Sequence, residues 1–301
     1  MSTAAPAGLD ERLDADLFQG PPRLRPVISL LRRLPAPISA EALAAVAIVD
    51  GAARGRFTRA RRWAAAQGAT GFAGVRLALA LLANHGRFVA EEALVGVESS
   101  ADLAHGVVLQ GEERLSGLTG GALLLGFHLG PPKTWLRLRA LGYPVRFAGR
   151  LQSVAGDPRW DAAIASGAVI RLPEGDAGAR LQGLMRMRQF LVGGSLIYVT
   201  ADGPFGREAF SIDLPGGPLV VRQGWLALRR AAGVPTLPVL TWRTGATRVI
   251  AVQPPLPDVD PDPARDAERC RAALAPLVSG YVRQHPEQCR WVAMPRWRAH
   301  R

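Results

Sequence analysis

The run Ala122-Leu123-Leu124-Leu125-Gly126-Phe127-His128 decides the fold of this chain. It is too short for a helix and shows no alternation of apolar and polar positions, so it reads as a strand covered on both faces. Leu129-Gly130-Pro131-Pro132 follows at once and stops it. Similar short runs bounded by Gly or Pro recur at Val145–Gly149, Ala168–Leu172, Ser195–Thr200, Thr236–Trp242 and Val249–Gln253. Helical patterns lie between them at Lys133–Leu141, Ala177–Leu191 and Val221–Ala232. This alternation predicts an α/β fold, with a central, mostly buried β-sheet flanked by helices.

Working outward, residues 1–25 read as a loose, acidic then Pro-rich leader, and residues 26–301 as a single domain. Within it, 26–105 is a helical N-terminal part, 106–260 the α/β core, and 261–301 a closing helix and tail. Residues 27–98 are expected to be helical throughout. Arg54, Arg56, Arg59, Arg61 and Arg62 crowd one stretch of that region, and an apolar stretch through Leu77, Leu79, Leu81 and Leu82 follows. A segment of this kind can lie on an anionic membrane surface or form a solvated helix face. In residues 263–284, Cys270, Leu274, Leu277, Val278, Tyr281 and Val282 repeat at helical spacing, which makes Cys270 a core residue.

The 301 residues are 48% hydrophobic and 21% charged, a globular composition. No window reaches the roughly 18–20 apolar residues of a membrane span, and the first sixteen residues lack the basic start of a signal peptide. Neither an integral membrane protein nor a secreted one is expected. Two cysteines, Cys270 and Cys289, supply no disulfide framework or four-ligand zinc site, so a reducing cytoplasm is the expected setting. The net charge is +12, and Lys133 is the only lysine among 37 basic residues. Such a balance favours phosphate-bearing or acidic partners. Nucleic acid is not among those expected, because no recognition module is present.

No GxSxG, HExxH or paired CxxC occurs, and no phosphate-cradling glycine loop follows a strand. His128 stands out instead. It ends the most apolar strand, and ligands of open α/β sheets gather beyond strand carboxyl ends. The alternative is a histidine that only caps the strand. Thr200-Ala201-Asp202-Gly203-Pro204-Phe205-Gly206-Arg207 follows a second strand, placing Asp202, Gly203 and Pro204 within reach of the same end. Arg150, Arg222 and Arg243 flank strand ends and are candidate phosphate ligands, or else surface charges.

The stretches Gly121–Pro131 (GALLLGFHLGP), Leu141–Arg150 (LGYPVRFAGR), Gly194–Gly206 (GSLIYVTADGPFG), Gly224–Leu240 (GWLALRRAAGVPTLPVL) and Tyr281–Trp291 (YVRQHPEQCRW), then Pro295-Arg296-Trp297, are the informative set. Together they resemble the lipid A biosynthesis lauroyl/myristoyl acyltransferases, within the lysophospholipid acyltransferase superfamily, over residues 26–298. The resemblance implies transfer of a fatty acyl group from an acyl thioester to a lipid hydroxyl. His128 would be the general base of an Hxxxx[DE] motif, and His285 part of the structural ending. The implied donor is acyl carrier protein or coenzyme A, and the acceptor a phosphorylated glycolipid or lysolipid, with no other cofactor and no metal. The implied location is cytoplasmic and peripheral, on the inner face of the bacterial inner membrane.

The chain departs from that pattern in two ways. The family's N-terminal anchor is not evident, and Lys133 occupies the place of the motif acid, with Pro132 where tryptophan is usual. A cation beside His128 disfavours the imidazolium. An active enzyme therefore needs Glu174, Asp176 or Asp202 to orient the histidine, with Glu174 and the flanking arginines at the substrate. The other reading is a non-catalytic relative that binds lipid or acyl carrier, or partners an active enzyme.

Overall fold

The computed structural model describes residues 36–53, 55–94, 99–149, 164–172, 177–202 and 208–293. Among these residues three helices come first: α1 (Ala36–Ala53), α2 (Arg56–Ala66) and α3 (Gly71–Leu94). The short α4 (Ser100–Ala104) leads into β1 (Val107–Gln110), then α5 (Glu113–Ser116), β2 (Ala122–Gly126), α6 (Thr134–Ala140), β3 (Val145–Gly149) and β4 (Val169–Arg171). The second half runs α7 (Ala177–Val192), β5 (Leu196–Thr200), β6 (Ala209–Ile212), β7 (Leu219–Arg222), α8 (Gly224–Ala232), β8 (Thr236–Thr244), β9 (Thr247–Val252), α9 (Pro263–Gln284), the 3-10 turn Pro286–Gln288 and α10 (Arg290–Ala293).

Seven strands form one sheet in the order β1-β9-β8-β2-β5-β3-β4. Strands β8, β2, β5, β3 and β4 run parallel, while β9 is antiparallel to β8 and carries β1 along with it. The fold is α/β, with a mostly parallel central sheet between helices. Every residue of β2 is buried, as its unbroken apolar run requires of a strand covered on both faces. Leu123 and Leu125 face one core layer and Leu124 the other, so period-2 geometry divides a single run between two cores. Full burial of each such side chain contributes about 1.5–3 kcal/mol.

Helix α9 begins where Asp262 accepts hydrogen bonds from the amides of Ala264 and Arg265, ahead of Pro263 in the first turn. Its buried stripe is Cys270, Leu274, Val278, Tyr281 and Val282. Burial pushes the Cys270 thiol up to about 11, which suits an inert core residue.

Several boundaries differ from the sequence reading. The helical N-terminal region is broken by turns at Gly55 and at 67–70. The strand expected over Ala122–His128 stops at Gly126, freeing Phe127 and His128 from the ladder. The helix expected from Val221 starts at Gly224, because Leu219–Arg222 pairs with Ala209–Ile212 as an antiparallel hairpin. Its alternating burial is a strand signature that the adjoining apolar helix masked. The edge strand β1 was not expected.

Candidate active site

Gly126 of β2 pairs with Thr200 of β5, and each strand leaves the sheet there. Two residues further along each chain stand His128 and Asp202. The His128 amide donates to both Asp202 carboxylate oxygens, at 2.8 Å to Oδ1 and 3.0 Å to Oδ2. The imidazole folds back on the same residue: Nδ1 is 3.0 Å from the Asp202 carbonyl oxygen and 3.1 Å from Oδ1. Both neighbours are acceptors, so Nδ1 carries the hydrogen and donates it. Asp202 is 2% exposed and His128 26% exposed in their side chains, giving a shielded carboxylate behind a reachable ring.

Asp202 is held from three directions. Ala201 donates its amide to the Gly126 carbonyl at 2.9 Å, Arg222 donates its amide to the Ala201 carbonyl at 2.7 Å, and Asp202 bridges Val221 of β7. The hairpin that the sequence reading missed is thus one wall of the site.

The loop after His128 is equally fixed. Leu129 bridges Cys289, and Gly130 donates its amide to the Gln288 carbonyl at 3.0 Å. Thr241 Oγ1 donates to the Leu129 carbonyl at 2.9 Å, and the Tyr281 hydroxyl donates to the Thr241 carbonyl at 2.8 Å. Gly130 has φ +67°, and any Cβ there would collide with the Thr241 carbonyl. Arg137 donates through Nη1 to the Pro132 carbonyl and through Nη2 to Glu91 at 2.7 Å. Arg248 meets the other Glu91 oxygen at 3.1 Å. This largely buried ion group ties α3 to the loop.

Lys133 begins α6 in a left-handed conformation, φ 61° and ψ 35°, the one non-glycine residue with positive φ among the described residues. Such backbone costs about 1–2 kcal/mol in an L-residue. Its carbonyl accepts from the amides of Leu136 and Arg137. Thr134, the next residue, shares a hydrogen bond with Tyr198, whose phenol burial pushes up to about 12 and keeps protonated. The Tyr198 hydroxyl lies where a Cβ on residue 126 would stand, so position 126 requires glycine.

Of the residues singled out in the sequence, His128 and Asp202 are in contact and Lys133 stands on the same loop. Arg222 lies at the end of β7 beside Ala201. Arg243 makes its contacts elsewhere: Nε donates to the Gly245 carbonyl at 2.6 Å, and its charge faces Glu91, Arg248, Arg87 and Glu41. Arg150, Glu174, Asp176, Gly203 and Pro204 lie outside the described residues. Sequence reasoning missed Tyr198, Thr241 and the Glu91–Arg137 pair. The latter two residues are 46 positions apart with no shared motif. His285 stacks on Trp242, with ring centroids 5.1 Å apart, and is placed as a packing residue. Among the described residues, no three His, Cys, Asp or Glu side chains gather as metal ligands.

A histidine with one nitrogen fixed as a donor to a buried carboxylate presents the other as a base, which is the chemistry this arrangement offers.

No protein-family model matches the chain. No curated protein sequence matches it. Among solved structures, the crystal structure of the 1-acyl-sn-glycerophosphate (LPA) acyltransferase PlsC from Thermotoga maritima is similar at 15% identity. The match covers 68% of this chain and 81% of that one, with a TM-score of 0.44.

Proposed function

We propose that the chain is an acyltransferase that moves a fatty acyl group from a thioester to the hydroxyl of a phospholipid- or glycolipid-type acceptor. The observation that carries this reading is the His128 Nδ1–Asp202 Oδ1 contact of 3.1 Å at the carboxyl end of the sheet. Asp202 takes the orienting role that the resembled family gives to the residue at the Lys133 position. His128 Nε2 accepts the proton of the acceptor hydroxyl as that oxygen bonds to the thioester carbonyl carbon. The C–S bond then breaks, and the proton passes from the imidazolium to the departing thiolate. Asp202 holds the tautomer and offsets the imidazolium charge.

The proposal includes acyl carrier protein or coenzyme A as the thiol carrier, since both are acidic and the chain is strongly basic. It also includes a peripheral seat on an anionic bilayer. No helix among the described residues is long and apolar enough to cross a membrane. Helix α1 exposes Ile38, Val46 and Val49, α3 exposes Phe72, and the arginines of α2 lie between these two helices in sequence. The membership proposed is in the lipid A lauroyl/myristoyl type of the lysophospholipid acyltransferase superfamily, on the motif stretches quoted above.

The deciding experiment incubates the purified chain with acyl thioesters and lysolipid or glycolipid acceptors and looks for an acylated product by mass spectrometry. Product from the wild type and its loss in His128→Ala is the expected result. Turnover that survives His128→Ala overturns the assignment of the base.

A further inference from the structure

A cavity whose lining includes neither His128 nor Asp202 lies between α2, the turn of the β6–β7 hairpin and α10. It has a volume of about 530 Å³, and its walls include Thr58, Arg59, Arg62, Trp63, Gly216 and Val292. The walls are fixed before any ligand arrives. Trp63 Nε1 donates to the Pro286 carbonyl at 3.1 Å, and its ring meets Trp291 edge to face at 5.7 Å. The hairpin turn presses on the Trp63 ring at Gly216, which has φ +90°, and Gln67 ties the same turn through the Pro215 carbonyl at 2.9 Å.

The charges in this cavity are one-sided. Arg56, a turn earlier, is matched by Asp50 at 3.2 Å. Among the described residues, Arg59 and Arg62 form no ion pair and no carboxylate lines the cavity. They stand three residues apart on one helix, a spacing at which like charges repel. Arg59 is half-buried, so it is partly stripped of water, and no described residue gives it a counter-charge in return.

We infer that this cavity binds a phosphomonoester. One doubly charged group with three acceptor oxygens settles both guanidinium groups and the Thr58 hydroxyl at once, which a single carboxylate does not. Trp63 and Val292 offer an apolar wall to the carbon skeleton that carries the phosphate. The site needs nothing of the chemistry at His128 and stands whether or not acyl transfer occurs there. The phosphomonoester can belong to a soluble ester or to a lipid headgroup, two sources of one chemistry.

The test is calorimetric titration of the full chain with glycerol 3-phosphate. The expected result is one saturable site per chain, weakened about tenfold or more by Arg59→Ala and by Arg62→Ala separately, since each removes a charge-assisted hydrogen bond. Arg61→Ala removes the same charge outside the cavity and is expected to change affinity less than about twofold. A second arm compares phosphatidylcholine vesicles carrying equal fractions of phosphatidic acid, a monoester, or phosphatidylglycerol, a diester. Arg59-dependent preference for phosphatidic acid, reversed by glycerol 3-phosphate, assigns the source to a headgroup. Saturable glycerol 3-phosphate binding without that preference assigns it to a soluble ester. Absence of saturable binding, or equal damage from Arg61→Ala, overturns the site.

Discussion

Gln288 engages the backbone of Arg243 as a neighbouring strand would: its side-chain oxygen accepts from the Arg243 amide at 2.8 Å, and its side-chain nitrogen donates to the Arg243 carbonyl at 2.9 Å. The residue is 4% exposed, so neither bond has water as a substitute. Gln288→Glu keeps the shape but sets a second acceptor against the Arg243 carbonyl. A loss of about 1–3 kcal/mol or more in urea unfolding is expected, because a buried polar group is left unmatched. An unchanged midpoint would remove Gln288 from the structural account.

Asp202→Asn tests the orienting role. Asparagine can still accept the His128 amide, but it can turn an NH₂ group toward Nδ1 and so favour the tautomer with hydrogen on Nε2. Acyl transfer should fall by about 10²–10⁴-fold while the unfolding midpoint moves little. Product formation under matched donor and acceptor measures it. Full activity in Asp202→Asn would mean the carboxylate does not set the ring.

Lys133 separates the enzyme from a degenerate relative. Asp202 already meets Nδ1, so Lys133→Glu rebuilds the family motif without giving the ring an orienting partner it lacks. Loss of activity is expected in Lys133→Glu. A silent wild type beside an active Lys133→Glu would establish the non-catalytic reading. For stability, Lys133→Gly should be neutral or favourable because glycine adopts φ 61° freely, and Lys133→Val should be destabilising by about 1 kcal/mol or more.

His285 gives a pH dependence. Burial pushes its imidazole below the ordinary value, with the Glu287 carboxylate acting weakly in the opposite direction. The folded protein then binds this proton less readily than the unfolded chain does. Its contribution to stability is complete above the unfolded value near 6.5 and is lost as pH falls below it. Urea midpoints compared between about pH 8 and 5 should decline less in His285→Phe than in the wild type. Equal declines would place the effect on other groups.

For the membrane, flotation with anionic liposomes should capture the chain at low salt and release it at high salt. Each arginine near the surface contributes about 1 kcal/mol, screened over a Debye length. Binding that ignores salt would shift the account to the apolar residues of α1, and no binding at all would end it.

Much of this architecture was legible in the residues. The runs at 122–126, 145–149 and 196–200 are strands because short apolar stretches between Gly and Pro have few other solutions, and His128 and Asp202 both announced themselves by following such runs. Asp202 was one of three carboxylates offered for orienting His128, and what was not legible was which of them meets the ring, because that needs β2 and β5 to be neighbours. His128 and Asp202 are 74 positions apart, and only the sheet order brings them together. The hairpin β6–β7 was lost for a local reason: only Arg222, Gln223 and Gly224 separate Val221 from the apolar residues of α8, and composition alone does not mark where period 2 gives way to 3.6. Glu91 with Arg137, and Tyr198 with Thr134, left no trace because side-chain pairing across elements has no signature in either partner's own neighbourhood.

The bond from the Gly130 amide to the Gln288 carbonyl also sets an order of events during synthesis. A chain emerging from the ribosome delivers β2, β5, His128 and Asp202 well before residue 288 leaves the exit tunnel. The loop after His128 lacks its final brace for all of that interval. The proposed activity would therefore wait for residue 288 to take its place, and a nascent chain truncated before it would carry the right residues without the geometry to use them.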